Sequence, residues 1–359
     1  MKYFFAGLIT GALLSLIFLQ GKSASELIPV FYSNLAEIKT IEGDAAESFS
    51  AEYVLSSSDY TKIIDESGLA RKVIPAEEKL FEFSKSGGFY ITYSNTGRDV
   101  EFFGLEGQRY WKIDSGKKPF LSANGRLIFL LTSDHSSIRV IDRNGNPGAQ
   151  EYIRGRLCTV IEFSDRGDYG ACGFADGSFY FVNEKGEIIY SGSTPAGSVV
   201  KGIAVSSNGL YGLVHFGSDE KDFLSIVDVK KGKEKNYSLD HVHYVKTSLM
   251  ISSSGDAFFF DIDRLLSLNS SGRLKFLVEV PEKKPGFSAL SEYEGAVSLS
   301  YTDAKGSGRF LFFRENGDIF YSAAFPEESF LDSKIVNDFI FLRGSESLSV
   351  YSFHRAESL

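Results

Sequence analysis

The chain has 359 residues, of which 43% are hydrophobic and 14% aromatic, and a formal charge of −9. That is the composition of a folded globular protein, and its acidic balance argues against nucleic acid or anionic lipid as the main partner. Eight prolines leave no long Pro-rich linker.

The chain opens with a targeting segment at residues 1–24. Lys2 precedes an apolar run from Tyr3 to Leu19, and Gln20-Gly21-Lys22-Ser23-Ala24 follows. The run is slightly long for a signal-peptide core and slightly short for an average membrane span. Gly21 and Ser23 form a small-x-small site with cleavage after Ser23, so signal peptide and uncleaved anchor both stay open. Either one places Lys2 inside and exports the rest. No Cys lies near the segment, which rules out lipidation of the bacterial lipoprotein type. What remains, residues 25–359, is expected to be one domain with a formal charge of −11, since residues 1–24 hold two lysines and no acid.

That domain is a repeat. Residues 157–193 read as four short strands: 158–164, 169–175, 179–183 and 187–190. Apolar, aromatic and β-branched residues fill the strands, and Gly, Asp, Asn and Ser fill the turns. Four antiparallel strands in so short a stretch make one β-propeller blade. Its first turn, between strands a and b, recurs as Ser-x-x-Gly at Ser84/Gly87, Ser122/Gly125, Ser164/Gly167, Ser206/Gly209 and Ser252/Gly255, with a looser copy at Gly295. The glycine of the c–d turn recurs at Gly68, Gly107, Gly145, Gly186, Gly232, Gly272 and Gly317. Both series step by 38 to 46 residues. A period near 40 marks a blade array, and hairpin turns of this kind need a residue at positive φ.

The arithmetic favours eight blades of about 42 residues, with seven of about 48 as the alternative. Residues 329–353 supply strands a, b and c and then stop. Residues 26–33 precede the first full repeat and are expected to supply the missing strand d, closing the ring through the two termini. The expected fold class is therefore an all-β, eight-bladed propeller of four-stranded antiparallel blades.

Few residues suggest chemistry. Asp240-His241-Val242-His243 places two imidazoles two residues apart, a spacing that can ligate a metal or simply form a polar strand edge. His135, His215 and His354 stand alone in three blades. Asp261-Ile262-Asp263 can offer carboxylates at a channel mouth or merely end a strand. Arg166-Gly167-Asp168 spells an adhesion tripeptide at an exposed hairpin tip, where a tight turn asks for the same letters. Lys230, Lys231, Lys233 and Lys235 cluster at one turn and read as a solvated face. Cys158 and Cys172 are offset by three residues across a hairpin, which puts them on opposite faces and too far apart for a disulfide. Buried free thiols are the expectation.

The Ser-x-[Asp/Asn]-Gly turn followed by an apolar strand resembles the WD-repeat and related bacterial propellers. A second likeness is to the quinoprotein-type repeat, which carries an aromatic residue four places after the c–d glycine. Trp111, Tyr190, Phe276 and Tyr321 hold that register here, while Lys72, Ala149 and Asn236 interrupt it. The resemblance implies a scaffold like the quinoprotein-like propellers of outer-membrane protein assembly. The chain has no Cys-Cys pair and one Trp, so the cofactor site of quinone-dependent dehydrogenases is not expected. No catalytic, cofactor-binding or metal-binding residue is assigned, and no cofactor is expected. The leading expectation is an exported, non-enzymatic propeller that binds protein partners in the bacterial envelope, in the periplasm or at the outer face of the inner membrane. The alternative is a small-ligand or glycan binder, or a metal-dependent hydrolase, working at the central channel.

Overall fold

The computed structural model describes residues 26–35, 38, 52–56, 60–75, 79–85, 88–94, 98–244, 246–280, 283–293, 295–325, 329–336, 339–345 and 347–354. The targeting segment at 1–24 lies outside them.

These residues form eight antiparallel sheets arranged as a propeller. Blade 1 contributes Glu52–Ser56, Tyr60–Asp65 and Ala70–Pro75. Blade 2 is Leu80–Phe83, Phe89–Tyr93, Asp99–Gly104 and Arg109–Asp114, and blade 3 is Lys118–Leu121, Leu127–Leu131, Ser137–Asp142 and Pro147–Arg154. Blade 4 is Cys158–Phe163, Tyr169–Phe174, Ser178–Asn183 and Ile188–Ser193. Blade 5 is Val199–Val205, Tyr211–Gly217, Asp222–Asp228 and Lys233–Ser238. Blade 6 is Leu249–Ile251, Ala257–Asp261, Arg264–Leu268 and Leu274–Glu279. Blade 7 is Lys283–Tyr293, Ala296–Asp303, Gly308–Phe313 and Ile319–Phe325. Blade 8 joins Phe330–Val336, Phe339–Gly344 and Ser347–His354 to Glu26–Asn34. Glu26 pairs with His354 and Asn34 with Ser347, so the ring closes through both ends of the chain as the repeat count predicts.

Each blade is covered on both sides by its neighbours, so its middle strands read as unbroken apolar runs. Leu127–Leu131 is wholly buried, and Ala257–Asp261 nearly so. The outer strands alternate instead, as in Arg109–Asp114. The cores lie between blades. Phe129, Val140 and Ile153 of blade 3 pack on Cys172, Phe174 and Val182 of blade 4. Phe179 and Phe181 of blade 4 pack in turn on Val200, Ile203 and Val214 of blade 5. Burying each such side chain contributes about 1.5–3 kcal/mol.

The turn markers have structural reasons beyond backbone freedom. The hydroxyls of Ser84, Ser122, Ser164 and Ser206 accept the backbone N–H five residues on at 3.0–3.2 Å, and Ser252 accepts that of Asp256 at 3.1 Å. The glycines are also where blades touch. A Cβ on Gly209 would stand 2.2 Å from the Tyr169 ring of the preceding blade, and one on Gly255 2.9 Å from Tyr211. At the c–d turns, Phe276 lies against Gly317, and Trp111 lies against Gly145 while its Nε1 donates to the Arg143 carbonyl at 2.7 Å. Where Ala149 interrupts the aromatic register, its N–H donates to the Lys185 carbonyl at 3.2 Å and Gly148 closes on Gly186 backbone to backbone. The aromatic that follows the c–d glycine is therefore a dock onto the next blade.

The cysteines depart from expectation. Ile161 pairs with Cys172, but the register shifts between Cys158 and Val160, and Cys158 pairs with Phe174. The extra residue of this bulge turns Cys158 to the same side as Cys172. Both are buried free thiols in one core. Burial pushes the Cys158 thiol up to about 11, against one backbone hydrogen bond at Val160, and raises Cys172 as well. Neither is reactive in that state.

Candidate functional site

Strand alternation gives the ring two unlike faces. The a–b and c–d turns share one, and the b–c turns and d–a connections share the other. The innermost strands of blades 4 to 7 and the first turn of blade 2 bound a cavity of about 450 Å³ in the central channel. Its charged lining is Lys85, Glu162, Asp165 and Lys246, with Lys246 paired to Glu162 across the channel. Elsewhere on an innermost strand, burial pushes the Glu82 carboxyl up to about 7, against the opposing pull of Lys118.

A second assembly lies on the b–c face between blades 5 and 6. The chain crosses there by a ten-residue connection, 239–248, longer than the short loops the repeat suggests. Two buried carboxylates hold it. Asp222, at the start of strand c of blade 5, takes Lys201 Nζ on Oδ1 at 2.6 Å. Its Oδ2 takes the His243 backbone N–H at 2.8 Å and His215 Nε2 at 2.9 Å. Asp261, at the end of strand b of blade 6, receives His243 Nε2 at 2.9 Å and His241 Nδ1 at 3.2 Å on one oxygen, and Arg264 Nε at 3.2 Å on the other. Arg264 also donates to Asp240 at 2.6 Å. His215 and Asp222 are completely buried, and the His215 and His243 rings both meet Phe259 edge-on. Burial works against ionisation of both carboxyls, but their hydrogen bonds and cationic neighbours outweigh it and hold them below the ordinary range. Burial lowers His215 despite the pull of Asp222, so its ring is neutral at pH 7.

The structure thus gathers residues that looked separate in sequence. His215, His241, His243 and Asp261 form one network, in which the two imidazoles of the His-Val-His segment converge on a single carboxylate oxygen. The segment is a connection rather than a strand edge. Asp261 does end a strand, but it faces this network and not the channel mouth. His135 is exposed in the b–c turn of blade 3, and the side chain of His354 lies outside the described residues. Among the described residues no group of three or more His, Cys, Asp or Glu is placed to hold a metal. The Arg166–Asp168 tip is less open than expected. Gly167 is buried against the Ala123 and Asn124 backbone, and Asp168 accepts from Asn124 Nδ2 at 2.7 Å. Of the lysine cluster, Lys231 pairs with Asp228 at 2.7 Å, and Lys235 packs on Gly272.

The b–c face also carries exposed apolar side chains that sequence reading passed over. Leu157, Tyr244 and Ile262 are 51%, 76% and 40% exposed. Leu157 and Ile262 sit at φ 64° and 49°, a region costly for bulky side chains. Nothing in the sequence pattern marks these positions, since both letters suit a strand.

No protein-family model matches the sequence, and neither does any curated protein. Solved structures do match in fold. BamB from Moraxella catarrhalis is 13% identical, with a TM-score of 0.61 over 91% of this chain and 100% of that one. The Dos1 propeller is 13% identical, with a TM-score of 0.63 over 93% and 97%. The dihydro-heme d1 dehydrogenase NirN, solved in complex with DHE, is 12% identical, with a TM-score of 0.62 over 92% and 78%. The chain shares their propeller fold. At such identity the likeness extends to fold alone, and one of the three is named as an enzyme while the names of the other two state no activity.

Proposed function

We propose that the chain is an exported, non-enzymatic propeller that binds protein partners in the bacterial envelope through its b–c face. The observation that carries this reading is the display of Leu157, Tyr244 and Ile262 on that face, two of them on strained backbone. Stored backbone strain concentrates at interaction sites, and exposed apolar side chains mark one where they form a contiguous patch. The export half rests on Lys2 and the apolar run to Leu19, and the likeness to BamB agrees with an envelope role. Topology supports the choice of face. Glu26 pairs with the last residue of strand c of blade 8, on the a–b face. Glu26 itself therefore lies on the a–b side of the ring, opposite the b–c face.

The test is photo-crosslinking in intact cells from positions 157, 244 and 262, with position 210 as control. Leu210 is 44% exposed but lies in an a–b turn on the other face. One envelope protein captured from the first three positions, and lost on Tyr244→Ser, is the expected result. Equal capture from position 210, or recovery of the chain free and alone, would sink the reading. The cavity of about 450 Å³ favours a second reading, a small-ligand binder at the channel. Its test is thermal stabilisation by Ca²⁺ or glycans.

A further inference from the structure

We infer that the 239–248 connection is a proton-sensitive latch at the central channel, with the His215 imidazole as its sensor. The inference does not depend on the scaffold reading, because it concerns the connection and not what binds the face.

The connection bears on the channel directly. Lys246, Thr247 and Ser248 line the cavity, and Lys246 reaches across it to Glu162 of blade 4. Thr247 is in turn tied to His215, whose Nδ1 lies 2.9 Å from the threonine hydroxyl. The other ring nitrogen faces Asp222 Oδ2 at 2.9 Å. An ionised carboxylate only accepts, so Nε2 carries the proton in the neutral ring and Nδ1 accepts from Thr247. Both ring positions are then satisfied in a fully buried site, and the connection is fastened.

A second proton has one place to go, Nδ1, where the Thr247 hydroxyl now donates. That hydroxyl must rotate and accept instead, so the tie to Thr247 reverses direction, and an imidazolium forms in a site closed to water. The charged groups around it pull in opposite directions. Lys201 from strand a of blade 5 opposes the new charge, and Asp222 from strand c favours it. The His243 ring of the connection, 5.3 Å away, opposes it as well, and the Phe259 ring from blade 6 carries no charge to offset it. Asp261 from blade 6 is already engaged by His241, His243 and Arg264. Burial wins, so the closed latch prefers the neutral ring. An open connection would admit water and let the ring titrate near its ordinary value. Acid therefore favours opening by linkage.

Hydrogen–deuterium exchange of the full chain in detergent, from pH 8 to 5 with intrinsic rates corrected, tests this. Peptides covering 239–248 are expected to lose protection by up to about tenfold per pH unit below about 6.5. Blade 4 peptides serve as the reference and should not change. Exchange at the imidazole C2 positions, read in the same samples, gives the titration of His215, and the two midpoints should coincide. His215→Gln should abolish the response and His241→Gln should keep it. Flat protection over 239–248, an equal loss in blade 4, or persistence of the response in His215→Gln overturns the inference. If His215→Gln does not fold, the wild-type midpoints decide, and their separation overturns it.

Discussion

Two joints of the ring obey the same packing rule and end differently. Between blades 3 and 4 the seam is apolar. Phe129, Ile153, Phe174 and two thiols fill it, and Gly148 meets Gly186 across the outer edge. Between blades 5 and 6 a similar apolar seam of Leu213, Ile226, Phe259 and Leu266 runs to the b–c face. There it meets two buried carboxylates and two buried imidazoles. The first joint is held by groups that act singly, each contributing its own burial. The second is held by groups that stabilise only together, because a buried charge left without its partner costs more than the pair contributes.

The largest effect should come from breaking that mutual dependence. Asp222→Ala leaves Lys201 Nζ, His215 Nε2 and the His243 N–H without their acceptor. We expect a loss of about 3–5 kcal/mol, read by urea unfolding. A cost below about 1 kcal/mol would mean that water or a moved side chain satisfies these donors, and the contrast between the joints would fail.

At the apolar joint, Gly186→Ala should cost about 2–3 kcal/mol. The new Cβ would combine a φ of 73° with a contact 2.6 Å from the Gly148 Cα. Gly197→Ala separates the two causes, since Gly197 has φ 85° and nothing within 4 Å. It should cost about 1 kcal/mol through backbone strain alone. Equal costs would show that the glycine contact between blades contributes little.

Dependence on pH should distinguish the joints next. The folded His215 titrates below its ordinary value, so its contribution is full above about 6.5 and is lost as pH falls through the folded value. Each unit of depression corresponds to about 1.4 kcal/mol. The Asp222 and Asp261 contributions persist until pH falls below 3.8. Glu82 runs the other way. Its carboxyl is raised from 4.5 to about 7, so stability falls as pH rises through that window. Glu82→Gln should therefore stabilise at pH 8, by roughly 1–2 kcal/mol given its partial exposure. Thermal scans at pH 5.5 and 8 of the wild type, His215→Gln and Glu82→Gln check both signs.

The difference between the joints also explains what could be read from the letters. Blade number, strand limits and closure through 26–33 were legible because turn chemistry repeats along the chain. The c–d aromatic register was legible too, and Trp111 and Phe276 reveal it as a dock. The cysteine faces were misjudged because a one-residue bulge at Thr159 leaves no mark in the pattern and reverses a side chain. The His–Asp network was invisible for another reason. His215, Asp222, His243 and Asp261 come from two blades and a connection, and only the ring brings them together. The one clue was spacing: the a–b step from Gly209 to Gly255 is 46 residues, the longest in its series, and it contains the 239–248 connection.

The smallest effect tests whether the repeat itself is indifferent to the joint it serves. The Ser164 hydroxyl accepts the Tyr169 N–H at 3.2 Å in blade 4, and Ser206 accepts the Tyr211 N–H at 3.0 Å in blade 5. Both serines are buried. Ser164→Ala and Ser206→Ala should each cost about 1 kcal/mol, a fall of roughly 2 °C in Tm. The two rings that follow these turns, Tyr169 and Tyr211, both lie on the next blade's glycine. Equal losses would mean that the turn is a self-contained device and that the polar joint was added without altering it. A markedly larger loss for Ser206→Ala would mean that the a–b turn of blade 5 helps to hold the polar joint. The Tyr211 contact with Gly255 would then be the link by which that turn reaches blade 6.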